Sequence, residues 1–242
     1  GKNFTLDLNG FTISQKKEQT EGHSLLTNKG TLKVDSGTIE NTTKHKEYHY
    51  AIDNQSGSSA ASLTVTGGMV DCKYYSAIRL FCNSTANTNS ATISGGTIRG
   101  CVEYQQPIGA KDKALGSLTI TGGSFVRNEI GMVRSLWIFS YGSDRDCSGM
   151  SCQITRGTFD GAVQVNNCAK DFNDKFITGG IYKNGQYISN DGNGTKTFDN
   201  NPSNYVVDNG STHIVKRTGD KLEDYIYYVL PKSGLTDGVY LS

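Results

Sequence analysis

The chain has 242 residues, 24 basic against 23 acidic, for a formal net charge of +1, and 35% of it is hydrophobic. So even a balance excludes any general electrostatic pull toward nucleic acid or an anionic membrane, and no apolar run approaches the length of a membrane span. Glycine is abundant (29) and proline scarce (3), which suits many tight corners inside one continuous sheet around one large core.

Seven segments fit an eight-residue frame: 6–13, 32–39, 63–70, 91–98, 118–125, 152–159 and 175–182. Its third position is aliphatic throughout (Leu8, Val34, Val65, Ile93, Ile120, Ile154, Ile177). Its fourth is small or turn-forming, and its sixth is glycine in every copy except the first, which has Phe11. Apolar residues at the first, third and last positions alternate with polar ones, as in strands with one buried face. The glycines suit a corner where φ is positive or a β-carbon would clash. Successive frames end 26, 31, 28, 27, 34 and 23 residues apart, a solenoid period, and neither propeller-blade nor leucine-rich signatures are present. One coil cannot bury its own inner face, so coils stack with equivalent strands parallel, roughly 4.8 Å apart. The expectation is an all-β, parallel β-helix of about seven coils, on the order of 30 Å long; its handedness is not in the repeat, though right-handed crossovers dominate parallel connections.

In chain order, Gly1-Lys2-Asn3 stand directly against the first strand, which reads as the start of a trimmed or mature fragment and leaves room for a lost signal peptide. Each frame is followed by a polar loop, and most then show a second apolar stretch, the third strand of the coil. These stretches are Ser24-Leu25-Leu26, Tyr50-Ala51-Ile52, Ser76-Ala77-Ile78, Gly131-Met132-Val133 and Gly161-Ala162-Val163-Gln164-Val165, with Pro107-Ile108-Gly109-Ala110 in that role in the fourth coil. Ser-, Asn- and Thr-rich loops, such as 54–62 and 83–90, close the coils, and the fifth carries the longest insertion, through Asp144-Arg145-Asp146. Six cysteines are too few for a disulfide scaffold of this length and none forms a CxxC pair. Cys152 takes an inward frame position, a bridge between Cys72 and Cys101 is conceivable, and fifteen complete pairings stay open. After Tyr182 the frame stops. Residues 205–207, 212–216 and 225–230 read as strands separated by the hairpin signals Asp208-Asn209-Gly210 and Thr218-Gly219-Asp220. The solenoid is thus assigned to residues 1–194 and a C-terminal β cap, packed on its end, to residues 195–242.

Phe4-Thr5-Leu6-Asp7-Leu8-Asn9-Gly10-Phe11-Thr12-Ile13 and the repeated Thr-Ile-Ser-Gly-Gly-Thr-Ile pattern resemble pectin-lyase-like β-helix modules of bacterial surface proteins. Ile177-Thr178-Gly179-Gly180-Ile181-Tyr182, with Asn201-Pro202-Ser203-Asn204-Tyr205-Val206-Val207-Asp208, is similar to the way such modules end. The resemblance implies a right-handed β-helix and secretion, hence an extracellular or cell-surface location. It carries over no catalytic residue.

The residue after each frame (Ser14, Glu40, Asp71, Arg99, Val126, Asp160, Lys183) is expected to point outward. A polysaccharide lyase needs a basic residue near carboxylate-held Ca²⁺, and Asp71 with Arg99 offers one weak candidate. A glycosidase needs two carboxyl groups facing one cleft, for which Asp144 and Asp146 are the weak candidates. The alternative readings are a solvated ion-pair ladder for the first and loop chemistry for the second. Neither a metal nor another cofactor is expected: Asn190-Asp191-Gly192-Asn193-Gly194 lacks the glycine and acid of a calcium loop, and His45 and His49 are not on a helix. The aromatics are more suggestive. Tyr48, Tyr74, Tyr75 and Tyr104 would supply ring faces to a polysaccharide or cell-surface glycan, with Arg79 and Glu103 as polar contacts. Trp137, Phe139 and Tyr141 follow in the fifth coil. The competing reading packs these rings between coils. The expected function is therefore a non-enzymatic adhesin-like module or spacer, with a glycan as the ligand these aromatics would suit. The alternatives are a polysaccharide lyase or glycoside hydrolase, and a phage tailspike-like receptor-binding protein, which would be a trimer; the oligomeric state is left open.

Overall fold

The computed structural model describes residues 3–15, 24–44, 49–107, 112–130, 133–142, 146–168, 172, 176–183, 187–190, 205–208 and 212–215. Their strands are β1 (Asn3–Leu6), β2 (Thr12–Gln15), β3 (Leu26–Asn28), β4 (Thr31–Val34), β5 (Thr38–Asn41), β6 (Ile52–Ser56), β7 (Ala61–Val65), β8 (Met69–Cys72), β9 (Ile78–Cys82), β10 (Asn89–Ile93), β11 (Thr97–Arg99), β12 (Val102–Gln106), β13 (Gly116–Val126), β14 (Arg134–Ser140), β15 (Met150–Phe159), β16 (Ala162–Asn166), β17 (Gly180–Lys183), β18 (Tyr187–Asn190), β19 (Tyr205–Asp208) and β20 (Thr212–Val215). They wind into a parallel β-solenoid with three faces. The first is β1-β4-β7-β10, continued by the leading halves of β13 and β15, and the second is β2-β5-β8-β11, continued by their trailing halves and β17. Because β13 and β15 run through the corner without a break, these two faces form one sheet. The third face is a separate parallel sheet in the order β3-β6-β9-β12-β14-β16-β18. β20 lies antiparallel on β17 and pairs with β19; the expected strand at 225–230, and most of the expected cap, lie outside the described residues.

The frame's third position forms one column, with Val34, Val65, Ile93, Ile120, Ile154 and Ile177 opposite one another in turn. Its last position forms another: Ile39, Val70 and Ile98, then Phe125, Phe159 and Tyr182. The three rings lie flat on one another, with centroids 4.5 and 4.8 Å apart, which matches the strand spacing and makes the stack a continuation of the ladder. The third face supplies Ile52, Ile78, Val102, Leu136 and Val163 from the opposite side, and all five are buried. At one corner Asn28, Asn54 and Asn89 chain their amides together. The Asn89 amide also donates to the carbonyls of Asn54 (2.7 Å) and Phe81 (2.8 Å), satisfying groups that the bend removes from the sheets.

Corner glycines behave as the frame requires. The sixth-position residues Gly37, Gly68, Gly96, Gly123, Gly157 and Gly180 all have positive φ. Gly67, Gly95 and Gly122, one position earlier, have another reason: a β-carbon there would run into the carbonyl oxygen of Asp35, Thr66 or Ser94 in the coil below. Arg156 is tolerated at this position because the β13–β15 register is irregular there.

Four expectations need correction. The third strand of the fifth coil is Arg134–Ser140, beyond the stretch expected at 131–133, of which Val133 is 63% exposed. Val34 faces Leu6, not Leu8, so the first coil spends ten residues, Phe4 to Ile13, where the second spends eight, Leu32 to Ile39. The extra pair is taken up in a turn at Asn9 (φ 45°) and Gly10 (φ 85°), closed by Phe11 N–H donating to the Leu8 carbonyl at 2.7 Å, and Phe11 is left 74% exposed. The third strand of the fourth coil is Val102–Gln106, not the stretch at 107–110; its Glu, Tyr and two Gln residues hid the strand pattern. Asp71 follows its frame on the outward side of β8, yet it is only 1% exposed.

Candidate functional site

Strand alternation sends every second residue of the third sheet outward, and parallel register turns these residues into rows. One row runs Asp53, Arg79, Glu103, Trp137, Gln164; the next runs Gln55, Phe81, Gln105, Phe139, Asn166. Arg79 forks onto Asp53, with its Nε 2.8 Å from Oδ1 and a terminal nitrogen on Oδ2. Its guanidinium sits 4.6 Å from the Tyr50 ring centroid and 4.5 Å from that of Phe81. Burial alone would lower the Arg79 pKa, but the Asp53 hydrogen bonds and charge outweigh it and the net shift is upward. Glu103, one rung on, accepts from the Tyr50 hydroxyl at 3.0 Å and from Ser76 and Gln105. It is 1% exposed, and burial raises its pKa against the opposing pull of those donors and Arg79.

Further along the sheet, β14 and the residue after it place three rings outward at alternate positions. Trp137 and Phe139 stack with centroids 3.9 Å apart and planes 21° from parallel, and Tyr141 lies 5.5 Å from Phe139 with half of its surface exposed. Amides hold the row in place. The Trp137 indole N–H donates to Asn166 Oδ1 at 3.0 Å, and the Tyr141 hydroxyl donates to Gln105 Oε1 at 3.3 Å. The Arg134 guanidinium covers the Trp137 ring at 4.3 Å, and its Nε–H donates to Gln164 Oε1. No family model, curated protein or solved structure matches this chain.

The residues named from sequence are divided by the fold. Arg79 and Glu103 stand side by side on the third sheet, and Tyr75 meets Tyr50 edge-on at 5.4 Å. Tyr74 is half-buried, with Lys44 Nζ 5.5 Å from its ring centroid. Tyr104 is corrected: it neighbours Glu103, so alternation turns it inward, where it is fully buried, donates to the Ser151 carbonyl at 3.1 Å and has no face for a ligand. Arg99 reaches Asp71 at 3.0 Å; the Asp71 side chain is buried, while that of Arg99 is 36% exposed. Asp146 accepts from Ser148 N–H in its own turn, with Lys113 Nζ at 3.8 Å. Tyr48 and Asp144 lie outside the described residues, as do His45 and 191–194 of the loop weighed for calcium. Burial pushes the Cys72 thiol up to about 12, which makes it a poor nucleophile, and no bridge joins it to Cys101.

Asp53, Gln105, Arg134, Gln164 and Asn166 had no signal of their own in the sequence. The alternation of Arg134-Ser135-Leu136-Trp137-Ile138-Phe139-Ser140-Tyr141 was the available clue to a one-sided aromatic strand. Chemically, this face offers fixed rings and fixed amides. Its two carboxylates, Asp53 and Glu103, are sealed under their own donors.

Proposed function

We propose that the chain is a non-enzymatic, pectin-lyase-like module of a bacterial surface or secreted protein, and that it holds a glycan on the outer face of its third sheet. The reading rests on the row Trp137–Phe139–Tyr141, stacked, pinned by Asn166 and Gln105, and half-open at Tyr141. The apolar face of a pyranose packs on such a ring, and nearby amides can meet its hydroxyls. Rings already held by neighbours lose little freedom when a ligand arrives.

Trp137 is the only tryptophan, so its emission reports on this face directly. The test is a glycan array with the whole chain, followed by fluorescence titration of each hit against Tyr141→Ala. Support is a hit that shifts Trp137 emission and binds at least tenfold more weakly to Y141A, with the melting temperature unchanged. The reading fails if no glycan binds, if Y141A binds every hit normally, or if hits are converted to new reducing ends or unsaturated products.

A further inference from the structure

The half-buried arginines are not treated alike. Arg79 is matched by Asp53 and Arg99 by Asp71. Arg134, also partly buried, has no carboxylate partner among the described residues. Its partners are the neutral Gln164 amide and the Trp137 ring. Those contacts fix the plane of the guanidinium, and among the described residues its terminal N–H donors meet no acceptor. On the same sheet, Asp53 shows how a guanidinium is neutralised when the protein itself provides the anion. At Arg134, at the edge of the aromatic row, no described carboxylate takes that place.

We propose that the glycan is acidic, and that Arg134 receives a uronate carboxylate or a sugar sulfate in the two-pronged geometry that guanidinium shares with both groups. This rests on the glycan reading of the same face. Trp137 and Gln164 act as positioning residues, since they hold the fork in place before the ligand arrives. Partial burial weakens solvent screening, so the contact discriminates between charged and neutral chains more than a surface lysine would.

The test titrates the whole chain, through Trp137 emission, with four probes of similar length: a hyaluronan oligosaccharide (carboxylate only), a chondroitin sulfate oligosaccharide, a neutral chito-oligosaccharide and an oligoglutamate peptide. The expected result is tighter binding of at least one acidic glycan than of the neutral one by tenfold or more, largely abolished in 1 M salt. Comparing the two acidic glycans identifies which anion is read. Arg134→Gln should bring acidic binding down to the neutral level, with Arg134→Lys falling between. Y141A should weaken acidic and neutral glycans alike. Equal binding of acidic and neutral glycans, unaffected by R134Q but weakened by Y141A, overturns the acidic assignment and leaves the glycan reading standing. Binding of oligoglutamate as tightly as the glycans makes the partner an acidic peptide and overturns the proposal. Absence of any binding overturns both readings. Should R134Q fail to fold, the neutral-to-acidic ratio and its salt dependence in the unmodified chain decide alone.

Discussion

Asp71 shows what one side chain gains and loses from its neighbours in the stack. Its Oδ2 is held by Arg99 at 3.0 Å, while its Oδ1 is buried without a hydrogen-bond partner. Burial is the main cause raising its pKa, Arg99 pulls it down, and the Glu40 charge pushes it up again. An acid whose pKa is higher folded than unfolded binds its proton more tightly in the native state. Its contribution to stability is therefore complete below the unfolded value, about 3.9, and is lost as pH rises through the folded value. At pH 7 the charged form opposes folding. Asp71→Asn should raise the melting temperature at pH 7 by roughly 2–4 °C, the effect of about 1 kcal/mol in a chain of this size. The gain should fade toward pH 4. A variant equally stabilised at both pH values would rule out titration as the cause.

Between coils, the corner is the sensitive element. Gly95 sits where a β-carbon would collide with the Thr66 carbonyl oxygen of the coil below, and a backbone atom in a ladder cannot step aside. A β-carbon at Gly57 would meet no atom within 4 Å. Gly95→Ala should cost on the order of 3 kcal/mol and Gly57→Ala stay within about 0.5 kcal/mol, read from denaturant melts. Similar losses for both would show that chain entropy, not the close approach of coils, explains the glycines. The same elements show how far local pattern carries. Position six could be read because positive φ selects glycine within a single copy. The first coil was misread by two residues because Leu6 and Leu8 are both leucine, and only pairing with Val34 separates them. Strand β12 was missed because polar residues fill it, Glu103 and Gln105 outward and Gln106 inward, and both outward ones are covered by neighbouring side chains.

For the molecule as a whole, the solenoid makes stability a sum of contacts between adjacent coils. Phe159 lies between Phe125 and Tyr182, so Phe159→Ala removes two ring contacts and should cost about 3–5 kcal/mol. Hydrogen exchange should speed up in β13, β15 and β17 and stay slow in β4 to β8, which share no strand pairing with them. Uniform acceleration would mean that the described coils open as one unit. A face assembled from several coils, such as the third sheet's, depends on this additivity, because its rows stay aligned only while each rung holds its register.

The sequence alone determined the parallel solenoid class, the inward columns and the corner glycines. Each of these recurs from the second coil onward, and a recurring constraint is visible without knowing what lies opposite. It also named Arg79, Glu103, Trp137, Phe139 and Tyr141. Only the tertiary structure decided that Tyr104 faces inward, that Asp71 and Glu103 are buried, and that Arg134 meets Gln164 and Trp137 where Arg79 meets a carboxylate. The reason is distance along the chain. Tyr50 covers Glu103 from 53 residues away and Gln164 meets Arg134 from 30. The exposure and pairing of an outward side chain are set by what neighbouring coils place over it, which no single copy of the frame records.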